Sequence, residues 1–94
     1  MLTDYTTVLK LMKSDLGLSG EHRDEYLLSL ISAADRELDG RAVHLCDENI
    51  EHAVLLSDYS AWKYRKRITG EPMPEHLKLS IRNAQVKNRA GGTA

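Results

Sequence analysis

The fold is decided by the stretch ENIEHAVLLSDYSAWKYRKRIT, residues 48–69. Its apolar residues recur at helical spacing on two faces. One face carries Ile50, Ala53, Val54, Ser57, Ala61, Tyr64 and Ile68. The other face lies about 150° around the helix and carries Leu55, Tyr59 and Trp62. Because a helix that is apolar on two sides is buried on two sides, this stretch is predicted to be the central helix of the fold, or to present one face to another subunit.

Three further segments have a helical period, and glycines separate them. They run from about Asp4 to Leu16, from about Glu21 to Asp39, and from about Pro74 to Arg89. Gly17, Gly40 and Gly70 are predicted to end the first three helices, and Thr3, Ser19 and Asp47 to cap their starts. No alternating strand pattern is present. We therefore predict an all-α chain, a compact bundle of about four helices, with one domain over residues 1–89 and a flexible C-terminal tail over 90–94.

The predicted core consists of apolar residues at helical spacing in the first three predicted helices of the chain. It comprises Val8, Met12, Leu27, Leu30, Ile31, Ala34, Leu38, Ile50, Val54, Ala61 and Tyr64. A chain of 94 residues buries only about 60–65% of the surface that its unfolded form exposes. Partner subunits could therefore supply much of the missing burial.

Composition and targeting signals give broad expectations. Hydrophobic residues are 41% and charged residues 29% of the chain, as in folded globular domains. Cys46 is the single cysteine, so no internal disulfide is possible and a reducing compartment is expected. No apolar stretch approaches the ~18 residues of a membrane span. The start, Met1 to Asp4, lacks the basic region of a signal peptide.

The charge is unevenly distributed along the chain. Residues 1–58 carry 5 Lys and Arg against 12 Asp and Glu, whereas residues 59–94 carry 8 against 2. An acidic half and a basic half suit head-to-tail self-association, although a dipolar monomer has the same pattern. Asp58 lies between two apolar faces. If it is buried it needs a partner, such as Arg36 or Arg82; otherwise it faces solvent.

No catalytic constellation, phosphate-binding loop or dinucleotide fingerprint occurs, so we expect no enzymatic activity and no cofactor. The densest cluster of ligand types is His44, Cys46, Asp47, Glu48 and His52. Its spacing matches no established zinc site, and we predict no metal and a small buried Cys46. The basic residues from Lys63 to Arg67 could contact phosphates, but they also suit the negative end of a helix dipole.

Four stretches together resemble a known family. The first two are Leu9-Lys10 with Leu16-Gly17-Leu18, and DEYLLSLISAA at residues 24–34. The third is AVLL at residues 53–56 with Trp62, Tyr64 and Arg67, and the fourth is Pro74, Leu77, Ile81 and Arg82. Over about residues 2–83 the chain resembles the head–tail connector proteins of long-tailed phages, also called head completion or adaptor proteins. The segment from Arg41 to Cys46 is shorter than the insertion that many members carry there, and Lys63 separates Trp62 from Tyr64.

The resemblance implies a virion protein at the head–tail interface, present in the host cytoplasm during assembly. Such subunits form a ring, often dodecameric, beneath the portal protein. The ring extends the DNA channel and gives the tail or stopper protein a docking surface, with no membrane involved. The resemblance also implies that a C-terminal segment, here about Arg82 to Ala94, orders on the portal.

The predicted interface joins the second apolar stripe to charged residues that would pair between neighbours. It comprises Glu21, Asp24, Glu25, Leu55, Tyr59, Trp62, Arg67, Leu79, Arg82, Val86 and Arg89. Assembly should then depend on salt. The alternative is a small nucleic-acid-binding domain, such as a terminase small subunit in DNA packaging. It would use the bases from Lys63 to Arg67 together with Arg82, Lys87 and Arg89, although the net charge of −1 disfavours it.

Overall fold

The computed structural model describes the backbone of residues 1–92 and the side chains of residues 1–87. It contains four α-helices: α1 (Thr6–Leu16), α2 (Asp24–Gly40), α3 (Ile50–Thr69) and α4 (Glu75–Gly92). No strand occurs in the described part of the chain, which confirms the all-α prediction. The helix α3 packs against each of the other three and is the central helix.

Two of the three glycines that were predicted to end helices do so. Gly17 and Gly70 both adopt φ 70°, a left-handed conformation that glycine reaches without a steric penalty, and they end α1 and α3 as predicted. Gly40 is the last residue of α2 rather than the residue that follows its end, and the chain turns at Arg41 and at Ala42, whose φ is 66°. The helix α4 continues to Gly92, past its predicted end at Arg89. The last two residues of the predicted tail lie outside the described part.

All three predicted caps are wrong. Arg23, without a side-chain cap hydrogen bond, precedes α2 in place of Ser19, and the side chains of Thr3 and Asp47 hold the N-terminal segment instead. Asn49 caps α3 by accepting the Glu51 N–H at 2.9 Å. Asp47 accepts the backbone N–H of Thr3 at 3.1 Å and the Thr3 hydroxyl. Asp4 accepts the Thr6 N–H at 2.9 Å, at the start of α1. The connection before α3 is thereby tied to the segment that precedes α1.

Most of the predicted core is buried. Val8, Met12, Leu27, Ile31, Ala34, Leu38 and Ala61 are buried, and Leu30 and Tyr64 are half-buried. Further buried residues come from all parts of the fold: Leu2, Val43, Leu45, Leu56, Leu77 and Ile81. The prediction was wrong for Ile50 and Val54, which are 65% and 43% exposed. Both lie in the first turns of α3, where the neighbouring helices leave one side uncovered.

A buried acid fixes the N-terminal segment to α2. Asp35 has no exposed surface, and its Oδ2 accepts the Leu2 N–H at 2.8 Å and the Tyr5 hydroxyl at 2.9 Å. Its Oδ1 is buried without a hydrogen-bond partner in the described part. The sequence carries a signal for this residue, because Asp35 lies on the apolar stripe of Ile31, Ala34 and Leu38.

Candidate docking surfaces

A groove runs between the first half of α3 and the second half of α4, with a volume of about 380 Å³. Its apolar lining is Ile50, Val54, Leu55 and Ala84. Its polar lining is Asn49, Glu51, His52, Asp58, Ser80, Asn83 and Lys87. Since Ile50 and Val54 are largely exposed, the groove is an open apolar surface with a charged margin.

Asp58 lies at one edge of this groove and is half-buried. Desolvation and the nearby charge of Asp15 raise the pKa of the Asp58 carboxyl, while His76 and Arg65 act against that rise. Within the described residues the carboxylate makes no hydrogen bond or ion pair. Arg36 and Arg82, the partners considered from the sequence, are therefore not its partners. The charges of His76 and Arg65 therefore only partly offset the cost of desolvating the Asp58 carboxylate beside Asp15.

The outer stripe of α4 consists of Leu79, Arg82 and Val86. Leu79 and Val86 are each 56% exposed and Arg82 is exposed, so these predicted interface residues are on the surface. The stripe lies opposite Leu77 and Ile81, which attach α4 to α3. Arg82 makes no ion pair or hydrogen bond within the described part of the chain. Arg82 is thus an exposed cation between two exposed apolar side chains.

Apolar residues are also exposed at the opposite end of α3. Ile68 is 80% exposed, and Tyr26, near the start of α2, is 42% exposed. The guanidinium carbon of Arg67 lies 5.2 Å from the centre of the Tyr26 ring. Arg23 donates to the Tyr64 hydroxyl at 2.7 Å. The start of α2 therefore packs beside the end of α3 in one molecule.

This packing corrects the prediction of a simple charge dipole. The start of α2, with the acids Glu21, Asp24 and Glu25, lies beside the end of α3 that carries the bases, as the contacts between Arg23 and Tyr64 and between Arg67 and Tyr26 show. Asp24 pairs with Lys13 at 2.7 Å, whereas Glu21 and Glu25 are exposed. The sequence halves therefore do not become two oppositely charged ends.

The bases of α3 are also largely engaged within the chain. Lys63 pairs with Glu37, and Arg65 pairs with Asp15 at 2.9 Å and with Glu71 at 3.1 Å. The Lys66 ammonium lies 4.7 Å from the centre of the Trp62 ring. A continuous free basic surface is therefore not formed by this run of residues.

Three predicted interface residues are core residues. Leu55, Tyr59 and Trp62 are 7%, 1% and 7% exposed. Leu55 lies beside α4, and the other two side chains contact the connection before α4 and α2. The Trp62 indole N–H donates to the Glu71 carbonyl at 3.2 Å, and the Tyr59 hydroxyl donates to Glu37. These three side chains are not available to another subunit. The side chain of Arg89, the last predicted interface residue, lies outside the described part.

The residues with metal-binding side chains between His44 and His52 form separate pairs in the structure. His44 Nδ1 lies 2.6 Å from Asp39 Oδ1, and His52 Nδ1 accepts the Cys46 N–H at 3.0 Å. Cys46 is exposed, contrary to prediction. Among the residues whose side chains are described, no three His, Cys, Asp or Glu side chains are grouped to hold a metal ion.

Comparison of the chain with protein families, with curated proteins and with solved structures gives no match. Within the described residues, none of the four helices combines the length and the apolar character that crossing a membrane requires. Large apolar side chains are therefore exposed at both ends of α3, which was not predicted, and on the outer stripe of α4, which was.

Proposed function

We propose that this chain is a structural subunit of a phage head–tail connector ring. It docks under the portal protein, extends the DNA channel and offers an attachment surface to the tail or stopper protein. The role is one of assembly and requires no catalysis or cofactor. It acts in the virion at the head–tail interface, after assembly in the host cytoplasm.

The observation that carries this proposal is the exposure of large apolar side chains at both ends of α3. Ile50 and Ile68 are 65% and 80% exposed. They are separated by 18 residues, which is about 27 Å along a helix that rises 1.5 Å per residue. An adaptor must bind different proteins on different surfaces, and apolar surface at two separate ends of a rigid helix fits that requirement.

The charges support an assembly role better than a nucleic-acid-binding one. Lys63 and Arg65 pair with acids of their own chain, and Arg67 lies over Tyr26. A DNA-binding surface would need such bases free to contact phosphates. The proposed subunit instead lines a channel through which DNA passes without sequence-specific binding.

Electron microscopy of the purified chain tests the proposal, with the chain alone and mixed with the portal protein encoded in the same genome. Annular particles, or an added layer on the portal ring, would support it. Chains that leave the portal unchanged and form no annular particle would contradict it. Tight duplex binding with a steep salt dependence, without portal binding, would favour the DNA-packaging alternative.

A further inference from the structure

We propose that the groove between α3 and α4 binds the outer stripe of α4 from a second copy of this chain. This inference rests on the proposed function and names the contact between neighbouring subunits. The groove residues that matter are Ile50, Val54, Glu51 and Asp58, and the stripe is Leu79, Arg82 and Val86.

The two surfaces are complementary in apolar character. Val54 and Ile50 are exposed in the groove, and Leu79 and Val86 are exposed on the stripe. Leu79 and Val86 are seven residues apart, so they lie on one side of α4 about two turns apart. Seating the stripe in the groove would bury apolar surface from both molecules, and this is the main favourable term in association.

The two surfaces are also complementary in charge, which identifies a second copy as the occupant. Arg82 has no ion-pair partner in the described part of its own chain. Glu51 and Asp58 line the groove without an ion-pair partner there, and Asp58 is already half-buried. Lys87 is the one Lys or Arg that lines the groove in the described part, so acids outnumber bases two to one. An incoming Arg82 would add a second cation beside Lys87 and give these carboxylates an ion-pair partner.

The geometry makes the contact head-to-tail. On α4 the groove is lined by Ser80, Asn83 and Lys87, whereas the stripe begins at Leu79. At about 100° per residue, the centre of the stripe lies roughly 115° around α4 from the centre of the groove residues, so the stripe faces a different direction from the groove of its own chain. Each copy offers one groove and one stripe. An open chain of copies joined in this way has a free groove at one end and a free stripe at the other. Association can therefore continue until the two ends meet and close a ring.

The proposal can be tested by sedimentation equilibrium with two variants, each of which disables one half of the contact. Val54→Glu places a charge in the groove and leaves the stripe intact, and Val86→Glu does the reverse. We expect wild type to form large oligomers, and each variant to associate about tenfold more weakly or not at all, since each would bury an unpaired carboxylate. A one-to-one mixture should form a dimer and stop there, because it retains one intact groove and one intact stripe.

Charge exchange gives a second, independent readout. Arg82→Glu should abolish association, and Asp58→Lys should restore it when combined with Arg82→Glu in the same chain. Ile68→Glu is the matched control, because it puts the same charge on an exposed apolar site at the other end of α3, and it should assemble like wild type. Thermal unfolding followed by circular dichroism establishes that each variant is folded.

The proposal is overturned if wild type stays monomeric at millimolar concentration, or if Val54→Glu and Val86→Glu assemble as wild type does. It is also overturned if the mixture fails to dimerise while wild type assembles. These results are distinct from failure of the proposed function. A chain that binds the portal while Val54→Glu and Val86→Glu have no effect would retain the connector role and lose only this contact.

Discussion

The hydroxyl of Tyr59 donates a hydrogen bond to one carboxylate oxygen of Glu37, and Lys63 donates to the other. This arrangement joins the middle of α3 to α2 beside the buried core. Desolvation raises the pKa of the Glu37 carboxyl, but the hydrogen bonds from Lys63 and Tyr59 outweigh it and the net effect lowers that pKa. Glu37 also raises the pKa of the Tyr59 hydroxyl, in addition to the rise caused by burial. The ionised carboxylate is therefore part of the folded structure.

Glu37→Gln should lower the free energy of unfolding at neutral pH by about 1–2 kcal/mol, because it removes two charge-assisted hydrogen bonds. The pKa of Glu37 is lower in the folded chain than its ordinary value of 4.5. Its contribution is therefore present above pH 4.5 and is lost as the pH falls through the folded value. Urea unfolding measured from neutral to acid pH checks both points. Glu25→Gln, at an exposed position of α2, is the control and should change stability little.

Asp35→Ala should lower the free energy of unfolding by about 2–4 kcal/mol, because it leaves the Leu2 N–H and the Tyr5 hydroxyl without their acceptor. Tyr5→Phe removes one donor and keeps the carboxylate bonded to Leu2, so its cost should be nearer 1 kcal/mol. Chemical denaturation gives both values. Equal losses for the two variants would show that the carboxylate does not hold the N-terminal segment in this way.

Asp58→Asn should raise the free energy of unfolding at neutral pH. The pKa of Asp58 is raised above its ordinary value of 3.8 by desolvation and by Asp15. The stability associated with this group is therefore fully present below pH 3.8 and is lost as the pH rises through the folded value. The gain of the variant over wild type should shrink in acid. Unfolding is followed at low protein concentration, where copies are separate. Asp15→Asn is the contrast, since it loses the ion pair with Arg65 and should not stabilise the fold.

Ala42→Gly should raise the free energy of unfolding by about 1 kcal/mol, because Ala42 holds a left-handed φ of 66° that a Cβ disfavours. Gly70→Ala places a Cβ at φ 70° and should have the opposite sign and a similar size. No heavy atom outside the adjoining residues lies within 4 Å of a Cβ built at Gly70, so the loss there is conformational. Thermal unfolding of the two variants checks the pair. A loss of stability in Ala42→Gly would contradict this interpretation.

The helices could be predicted from the sequence because their signals are local. Gly17 and Gly70 end α1 and α3, and the stripe of Leu27, Ile31 and Leu38 faces the core as its spacing requires. Each of these signals depends on residues within a few turns of one another. The number of helices and the central position of α3 follow from them.

Which residues on the two faces of α3 stay exposed could not be predicted, because that depends on how the other helices pack. Both stripes of α3 are apolar, and nothing local distinguishes Val54 from Leu55. Leu55 lies beside α4, Trp62 is bonded to the connection before α4, and Tyr59 is bonded to α2, so different elements cover this stripe. The arrangement of the charges could not be predicted for a related reason. The start of α2 and the end of α3 are distant in sequence, and tertiary packing brings them together, as the contact between Arg67 and Tyr26 shows.

The most direct test of the connector proposal is the rate at which a maleimide labels cysteines placed at the two ends of α3. Val54→Cys and Ile68→Cys are made in a Cys46→Ser background, because Cys46 is itself exposed. Ser29→Cys, at an exposed site on α2, is the control. Labelling is measured for the free chain and after mixing with the portal protein. At low protein concentration, where copies are separate, we expect positions 54 and 68 to label quickly in the free chain. In the assembly with the portal protein both should label slowly, with position 29 unchanged. Labelling at 54 and 68 that remains as fast after mixing would contradict the proposal.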